Sequence, residues 1–401
     1  MPPTTAFTDQ EKSLIRAKAA GAKQALLANV KQFGQSPVPL LIAGEVYAGI
    51  WLEHNQDNVF LAEYHPEAAW ASQQVFMDHQ REDGLLPFMF PLQMKGSYFN
   101  TPVPYWHVQC IYPFARCALE IAVKLGKDEK TFDSIYRCAS KYDDWFVKFR
   151  NRSGSGLVEM YCEWDTGHDN SPRVMDGGIP HGCPDKEAKN MPDLPIMPVL
   201  SVDLSAMLYG NRMALADLAA RLGKGADEMR WNEKASELKS RMKEKLYDAA
   251  DDFYYDRDTN GLRKYRSEHI TRLFMNRVLD QSEFDSIYNR YFTVDSEFWT
   301  AFPFPAMSVS DPHFVKECPK NCWGANTQAL TVLRTLFWME HYGKKKELHE
   351  VMYRWLKAFI SHDNKFTQEI NPFTGAPVSN GTNYSPSLIM FIESAKTLVG
   401  L

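Results

Sequence analysis

Two carboxylate-bearing stretches, about 200 residues apart in the chain, hold the residue types that could move protons. The first is Tyr161-Cys162-Glu163-Trp164-Asp165-Thr166-Gly167-His168-Asp169-Asn170-Ser171-Pro172-Arg173. A loop this rich in acids, Gly, Pro and hydroxyls does not build an apolar core, and its side chains can point into a cleft. There, a neighbouring carboxylate and partial burial raise the pKa of one acid, as a general acid at neutral pH requires. The second stretch is Phe366-Thr367-Gln368-Glu369-Ile370-Asn371-Pro372-Phe373-Thr374-Gly375-Ala376-Pro377. Its Pro/Gly turn suits the rigid holding of one carboxylate, Glu369. Hydrolysis of a glycosidic bond needs two carboxyl groups flanking that bond, and two distant acidic loops can supply them only if the fold brings them together.

Aromatic composition favours the same chemistry. Trp, Tyr and Phe make up 13% of the chain, and many stand among polar residues: Tyr105-Trp106-His107, Glu163-Trp164-Asp165 and Asn321-Cys322-Trp323-Gly324. An aromatic face edged with carboxylates and amides matches a sugar ring, which offers C–H patches rimmed by hydroxyls. Net charge is −5 with no basic tract, which argues against a nucleic-acid partner. No apolar run approaches a membrane span, and the first residues lack a signal-peptide pattern, so a cytoplasmic protein is expected. Seven cysteines, an odd count, imply reduced thiols. Cys318 and Cys322 lack the second Cys/His pair of a zinc site, and the acidic loop lacks the spacing of a calcium hand, so no metal or cofactor is expected.

The elements that must position these loops are helical. Leu204, Leu208, Leu215, Leu218 and Leu222 keep helix spacing up to a stop at Gly223, and Ala235, Leu238, Met242 and Leu246 form the next stripe. Leu330, Leu333 and Phe337 and then Leu348, Val351, Met352, Trp355 and Phe359 form another pair around Tyr342-Gly343-Lys344. Further helices are predicted near 9–31, 64–80, 104–125, 130–150, 266–290 and 384–399, for about eleven or twelve in all. Strand signals are confined to Asp252–Tyr255, before a turn at Thr259-Asn260-Gly261, and to the region 40–60. Long polar segments at 81–103, 151–200, 292–325 and 362–383 interrupt the helices, and loops of that length are usually functional. Helical hairpins alternating with long loops fit an all-α toroid of six hairpins, and no linker divides residues 1–401.

Within these stretches the chain resembles clan G glycosidases, family 63 (processing α-glucosidase and mannosylglycerate-type hydrolases) and the related family 37 trehalases. Trp164-Asp165-Thr166-Gly167-His168-Asp169-Asn170-Ser171-Pro172 matches an acid motif of the form Trp-Glu-Ser-Gly-x-Asp-Asn-Ser-Pro at six positions. Glu369, Asn371, Pro372, Thr374 and Gly375 match a Glu-x-Asn/Asp-Pro-x-Thr-Gly turn. Gln80–Pro87, Val202-Asp203-Leu204, Phe253-Tyr254-Tyr255-Asp256 and Cys322–Asn326 resemble further segments, so the likeness covers about residues 45–400. It implies an (α/α)6 barrel, hydrolysis with inversion, Asp169 as general acid and Glu369 as general base. Asp165-Thr166 departs from Glu-Ser, the Arg and Pro of the later Trp segment are absent, and the family's aromatic-acid run appears as Gly49–Asp57; these departures bear on the sugar more than on the reaction.

Expected sugar contacts are Trp51, Gln56, Asp57, Trp106, His107, Gln109, Trp164, Asp165, His168, Arg173, Trp323, Asn326 and Tyr384. The expected substrate is a small α-glucoside or α-mannoside, such as a glycosylglycerate or disaccharide, and a homo-oligomer is compatible with the sequence. Two other readings stand beside it: a sugar epimerase or isomerase using His168 or His107, and a carbohydrate binder without activity.

Overall fold

A computed structural model of the chain describes residues 6–33, 36–92, 103–109, 111–317, 322–378 and 381–401. Cys110, Cys318, Asn321 and the part of the 81–103 segment from 93 onward to 102 lie outside the described residues. The chain forms two compact units: a terminal one (Met1–Val30, Ile42–Ala48, Asp280–Leu401) and a central one (Lys31–Leu41, Gly49–Leu279).

The terminal unit begins with α1 (Asp9–Ala28), started by a capping box in which Thr8 and Glu11 satisfy each other's backbone N–H. Ile15, Ala19, Ala22 and Leu26 are its buried stripe.

The central unit carries α2 (Asp57–Leu61), α3 (Pro66–Asp78), α4 (Phe114–Lys124), α5 (Glu129–Phe149), α6 (Pro172–Met175), α7 (Val202–Arg221), α8 (Gly225–Leu246) and α9 (Thr271–Met275). Helix α7 is its axis: fifteen of its twenty residues are buried, an exposed strip is left at Met213, Asp217, Ala220 and Arg221, and α4, α5, α8 and α9 all pack on it. Against α7, α8 buries Trp231, Ala235, Leu238, Met242 and Leu246, four of which are the predicted stripe. Arg212 of α7 donates to buried Asp143 of α5 (Nε–Oδ1 2.7 Å), an ion pair that fixes the register of these two helices.

The terminal unit resumes with α10 (Gln281–Tyr291), α11 (Ala329–Arg334), α12 (Lys345–Ser361) and α13 (Ser385–Val399). Helix α13 packs on α1, α11 and α12, and Phe284 of α10 stacks on Tyr342 before α12, with ring centroids 3.9 Å apart.

Three expectations change. The helix expected at 104–125 begins only at Phe114, after Pro113, whose extended backbone serves as the N-cap. The one expected at 266–290 is divided: a 3-10 turn (Glu268–Ile270) and α9 end near Arg277, which adopts φ +57°, and α10 starts afresh at Gln281 behind an Asp280 cap. The chain is mostly rather than wholly helical, with short strands between the helices. Gly261–Arg263, Asp256–Asp258, Val199–Leu200 and Glu159–Met160 form an antiparallel four-stranded sheet, in that order, with Asp258 opposite Gly261 at the predicted turn. Gly49–Trp51 pairs with Met89–Pro91, and in the terminal unit Thr327–Gln328 pairs with Glu369–Ile370.

No described helix is long and apolar enough to cross a membrane. Cys117, Cys138, Cys162 and Cys183 are buried and form no disulfide; Cys322 is disulfide-bonded, which departs from the expectation of reduced thiols throughout.

Candidate active site

The acidic loop of the central unit leaves the sheet at Glu159–Met160 and turns at once around Asp165. That carboxylate is fully buried and accepts backbone N–H groups from Val108, Tyr161 and Cys162 and both arms of Arg150 (Nη1–Oδ2 2.5 Å, Nη2–Oδ1 2.9 Å). Burial alone would raise its pKa; the guanidinium in contact outweighs burial and holds it below the ordinary carboxylate value. The loop is thus built on a buried ion pair that replaces an apolar core.

Gly167 follows in the left-handed region (φ +69°), and a Cβ there would lie 2.4 Å from Oε2 of Glu53. Glu53 is itself buried and accepts from Gln109 (Nε2–Oε2 3.0 Å). Only glycine meets both demands, which accounts for its place in the motif. His168 is clamped on both ring nitrogens: Arg173 donates to Nδ1 (2.7 Å), and Nε2 pairs with Glu268 (2.8 Å). Arg173 in turn holds Asp203 (2.8 Å) and both oxygens of Asp256 (2.8 and 3.0 Å), while Glu268 holds Arg272. All these side chains are buried. Burial lowers the His168 pKa, and its neutral form fits this arrangement, accepting at Nδ1 and donating from Nε2.

Asp169, half-buried, stands in the chain between this clamp and Asn170, which takes φ +57°, a conformation that Asn tolerates. The Asn170 N–H donates to Glu163, and α6 starts two residues on with Pro172 at its first position. Asp169 therefore sits on a backbone fixed on both sides.

Beside this loop runs a connected row of rings. Trp51 lies 5.8 Å from Phe88, Phe88 5.7 Å from Trp106 and 3.8 Å from His107, His107 5.5 Å from Trp164, and Trp164 5.7 Å from His181, nearly parallel. Trp106 and His181 reach solvent, and Trp51 and Trp164 are half-buried, so the row can offer ring faces to a ligand. His107 is buried; desolvation brings its pKa down to about 4, and its Nε2 pairs with Gln109 (2.9 Å). Gln56 and Asp57 lie deeper: Asp57 takes His54 (3.2 Å) and Gln56 (3.3 Å), and both are buried.

The second stretch lies in the terminal unit. Glu369 is completely buried on its short strand opposite Gln328, and its Oε2 accepts Nδ2 of Asn326 (2.7 Å) and the N–H of Cys322 (3.4 Å). The following turn is tied by Asn371 Oδ1, which accepts from Phe373 and Thr374 (2.9 and 3.0 Å). At Gly375 (φ +73°) the Phe302 ring would stand 2.7 Å from a Cβ. Before Glu369, Thr367 bonds the Glu369 carbonyl (3.1 Å) and Tyr47 bonds Gln368 (2.8 Å). Trp323 is buried, and Tyr384 is buried at the start of α13 with its ring 6.0 Å from that of Tyr47.

The sequence-predicted residues therefore fall into two groups. Around Asp169, Trp51, Trp106, His107, Gln109 and Trp164 line or back the row of rings. Asp165, His168 and Arg173 are enclosed and give their polar atoms to protein partners, through which they hold the loop. Asn326 likewise gives its amide to Glu369. Sequence reasoning missed Glu53, Phe88, Arg150, Glu163, Asp203, Glu268 and Arg272. Glu53, Glu163 and Asp203 lay inside segments already singled out; the others are distant in sequence and carried no local signal.

The mannosylglycerate hydrolase MGH1-like glycoside hydrolase domain matches residues 59–387, and the chain belongs to that family of glycosidases. Mannosylglycerate hydrolases MGH1 and MGH2 of Selaginella moellendorffii are 28% and 27% identical over 185 and 182 residues, 40% of this chain; the match spans 35% of their own length. The fold is similar to the GH63 mannosylglycerate hydrolase of Thermus thermophilus solved with glucose (TM-score 0.72, 16% identity, 95% of this chain and 99% of that one). It is also similar to neutral trehalase Nth1 of Saccharomyces cerevisiae (TM-score 0.68, 12% identity, 94% and 81%).

Proposed function

We propose that the chain hydrolyses a small α-glycoside with inversion, Asp169 protonating the departing oxygen and Glu369 activating the attacking water, on a single-domain (α/α)6 toroid. The observation that carries this reading is the family match, whose range, residues 59–387, takes in both the Asp169 loop and the Glu369 turn. Local geometry supports it: each carboxylate stands on a backbone held by hydrogen bonds, as proton transfer at a fixed position requires. A glycosylglycerate of mannose or glucose is the favoured substrate, since a relative of the same fold has been solved with glucose and with Tris and D-glycerate.

The epimerase reading loses its proton carriers. His168 has both nitrogens committed to buried ionic partners, and His107 is buried, with a pKa of about 4. The test is a panel of α-linked disaccharides and glycosylglycerates with NMR detection of the first anomer released. Release of the β-anomer supports the proposal; retention of configuration, or deuterium uptake into uncleaved sugar, overturns it.

A further inference from the structure

We infer that Glu163 and His181 form a dyad whose task is to hold Asp169 in proton-donating position, an inference that rests on Asp169 being the general acid. Glu163 is fully buried, and its two oxygens are divided between two tasks. One accepts the N–H of Asn170, the residue after Asp169; the other takes Nδ1 of His181. The dyad is braced by its own backbone, since Glu163 N–H donates to Pro180 O (2.9 Å) and Trp164 N–H to His181 O (3.1 Å). The His181 ring is exposed on its outer side and lies nearly parallel to Trp164, so it closes the end of the row of rings while gripping the carboxylate beneath.

Asn170 is in a left-handed conformation, which Asn tolerates but which persists only where its surroundings hold it. The Glu163 oxygen supplies that constraint at the peptide joining Asp169 to Asn170. On the other side, Gly167 against Glu53 and His168 between Arg173 and Glu268 fix the approach. Without the dyad, the Asp169 carboxyl keeps its chemistry but loses its aim. Loss of aim costs most when a poor leaving group must be protonated. It costs little when the leaving group departs unaided.

The experiment compares 2-O-α-mannosylglycerate, whose glycerate needs a proton to leave, with α-mannosyl fluoride, whose fluoride does not. Glu163→Ala and His181→Ala are expected to lower kcat on the glycerate tenfold or more, with KM and fluoride hydrolysis within about threefold of wild type. Glu163→Gln, which still offers an oxygen to Asn170, should recover most of that loss. Equal losses on both substrates in Glu163→Ala and His181→Ala would reduce the pair to scaffolding and overturn the inference. Asp169→Asn is the control for the reading beneath it. If Asp169→Asn spares the fluoride and the dyad variants act alike on both substrates, only the dyad fails. If Asp169→Asn shows no preference, or wild type cleaves neither substrate, the acid assignment fails and takes the dyad with it.

Discussion

Glu369 and Asp169 are held by different means. Glu369 is sealed from solvent and accepts the side-chain amide of Asn326 and the backbone N–H of Cys322; a buried carboxylate that loses a donor pays the desolvation cost directly. Asn326→Ala is therefore expected to destabilise the fold by about 1–3 kcal/mol and to lower activity, measurable by urea unfolding alongside turnover. Asp169 is half-buried, and its support comes through the chain on either side. Asp169→Asn should leave the unfolding midpoint near wild type while kcat falls by about 10²–10⁴-fold, the usual share of a general acid; unchanged kcat would remove Asp169 from the reaction. Gly167→Ala should behave otherwise, losing both stability and activity, because the added methyl meets Glu53 in a backbone conformation alanine resists.

Among the elements, the longer helices were legible because each buries one stripe: α8 and α12 appear where their apolar spacing predicts. One-turn helices such as α6 and α9 and strands of two residues were not, since they are shorter than any period that could announce them. The support of the acid loop was illegible for a different reason. Arg150 and Glu268 read as ordinary charges, Asp203 and Asp256 stood in family-like segments with no role assigned, and the meaning of all four lies in partners up to 100 residues away in sequence. The same fact makes Arg173 a good probe of the network. Its removal would leave Asp203 and Asp256 buried without a counter-charge, and Arg173→Met is expected to cost about 3–5 kcal/mol in chemical denaturation. A loss under about 1 kcal/mol would mean that the network holds without it.

At the scale of the molecule, the buried histidines give stability a pH signature. Desolvation brings His107 to about 4 and His269 to about 3, and lowers His168 as well, against an ordinary value near 6.5. Below pH 6.5 the unfolded chain binds protons that the folded chain refuses. Stability is thus full above that value and drains away as pH falls toward about 4 and then about 3. Asp165, depressed by Arg150, adds a loss that begins near the unfolded carboxylate value and continues as pH falls through its own. The urea midpoint should decline steadily from pH 6.5 to 4; a flat profile would contradict the buried, neutral state of these rings. Helix α7 has a related consequence. With fifteen of its twenty residues buried and four helices packed on it, it has no partly open form that keeps its partners packed, so its amide protons should be the last of the central unit to exchange with deuterium. Its exchange rate would then report the opening of the whole central unit at once, a single clock against which any ligand's tightening of that unit can be read.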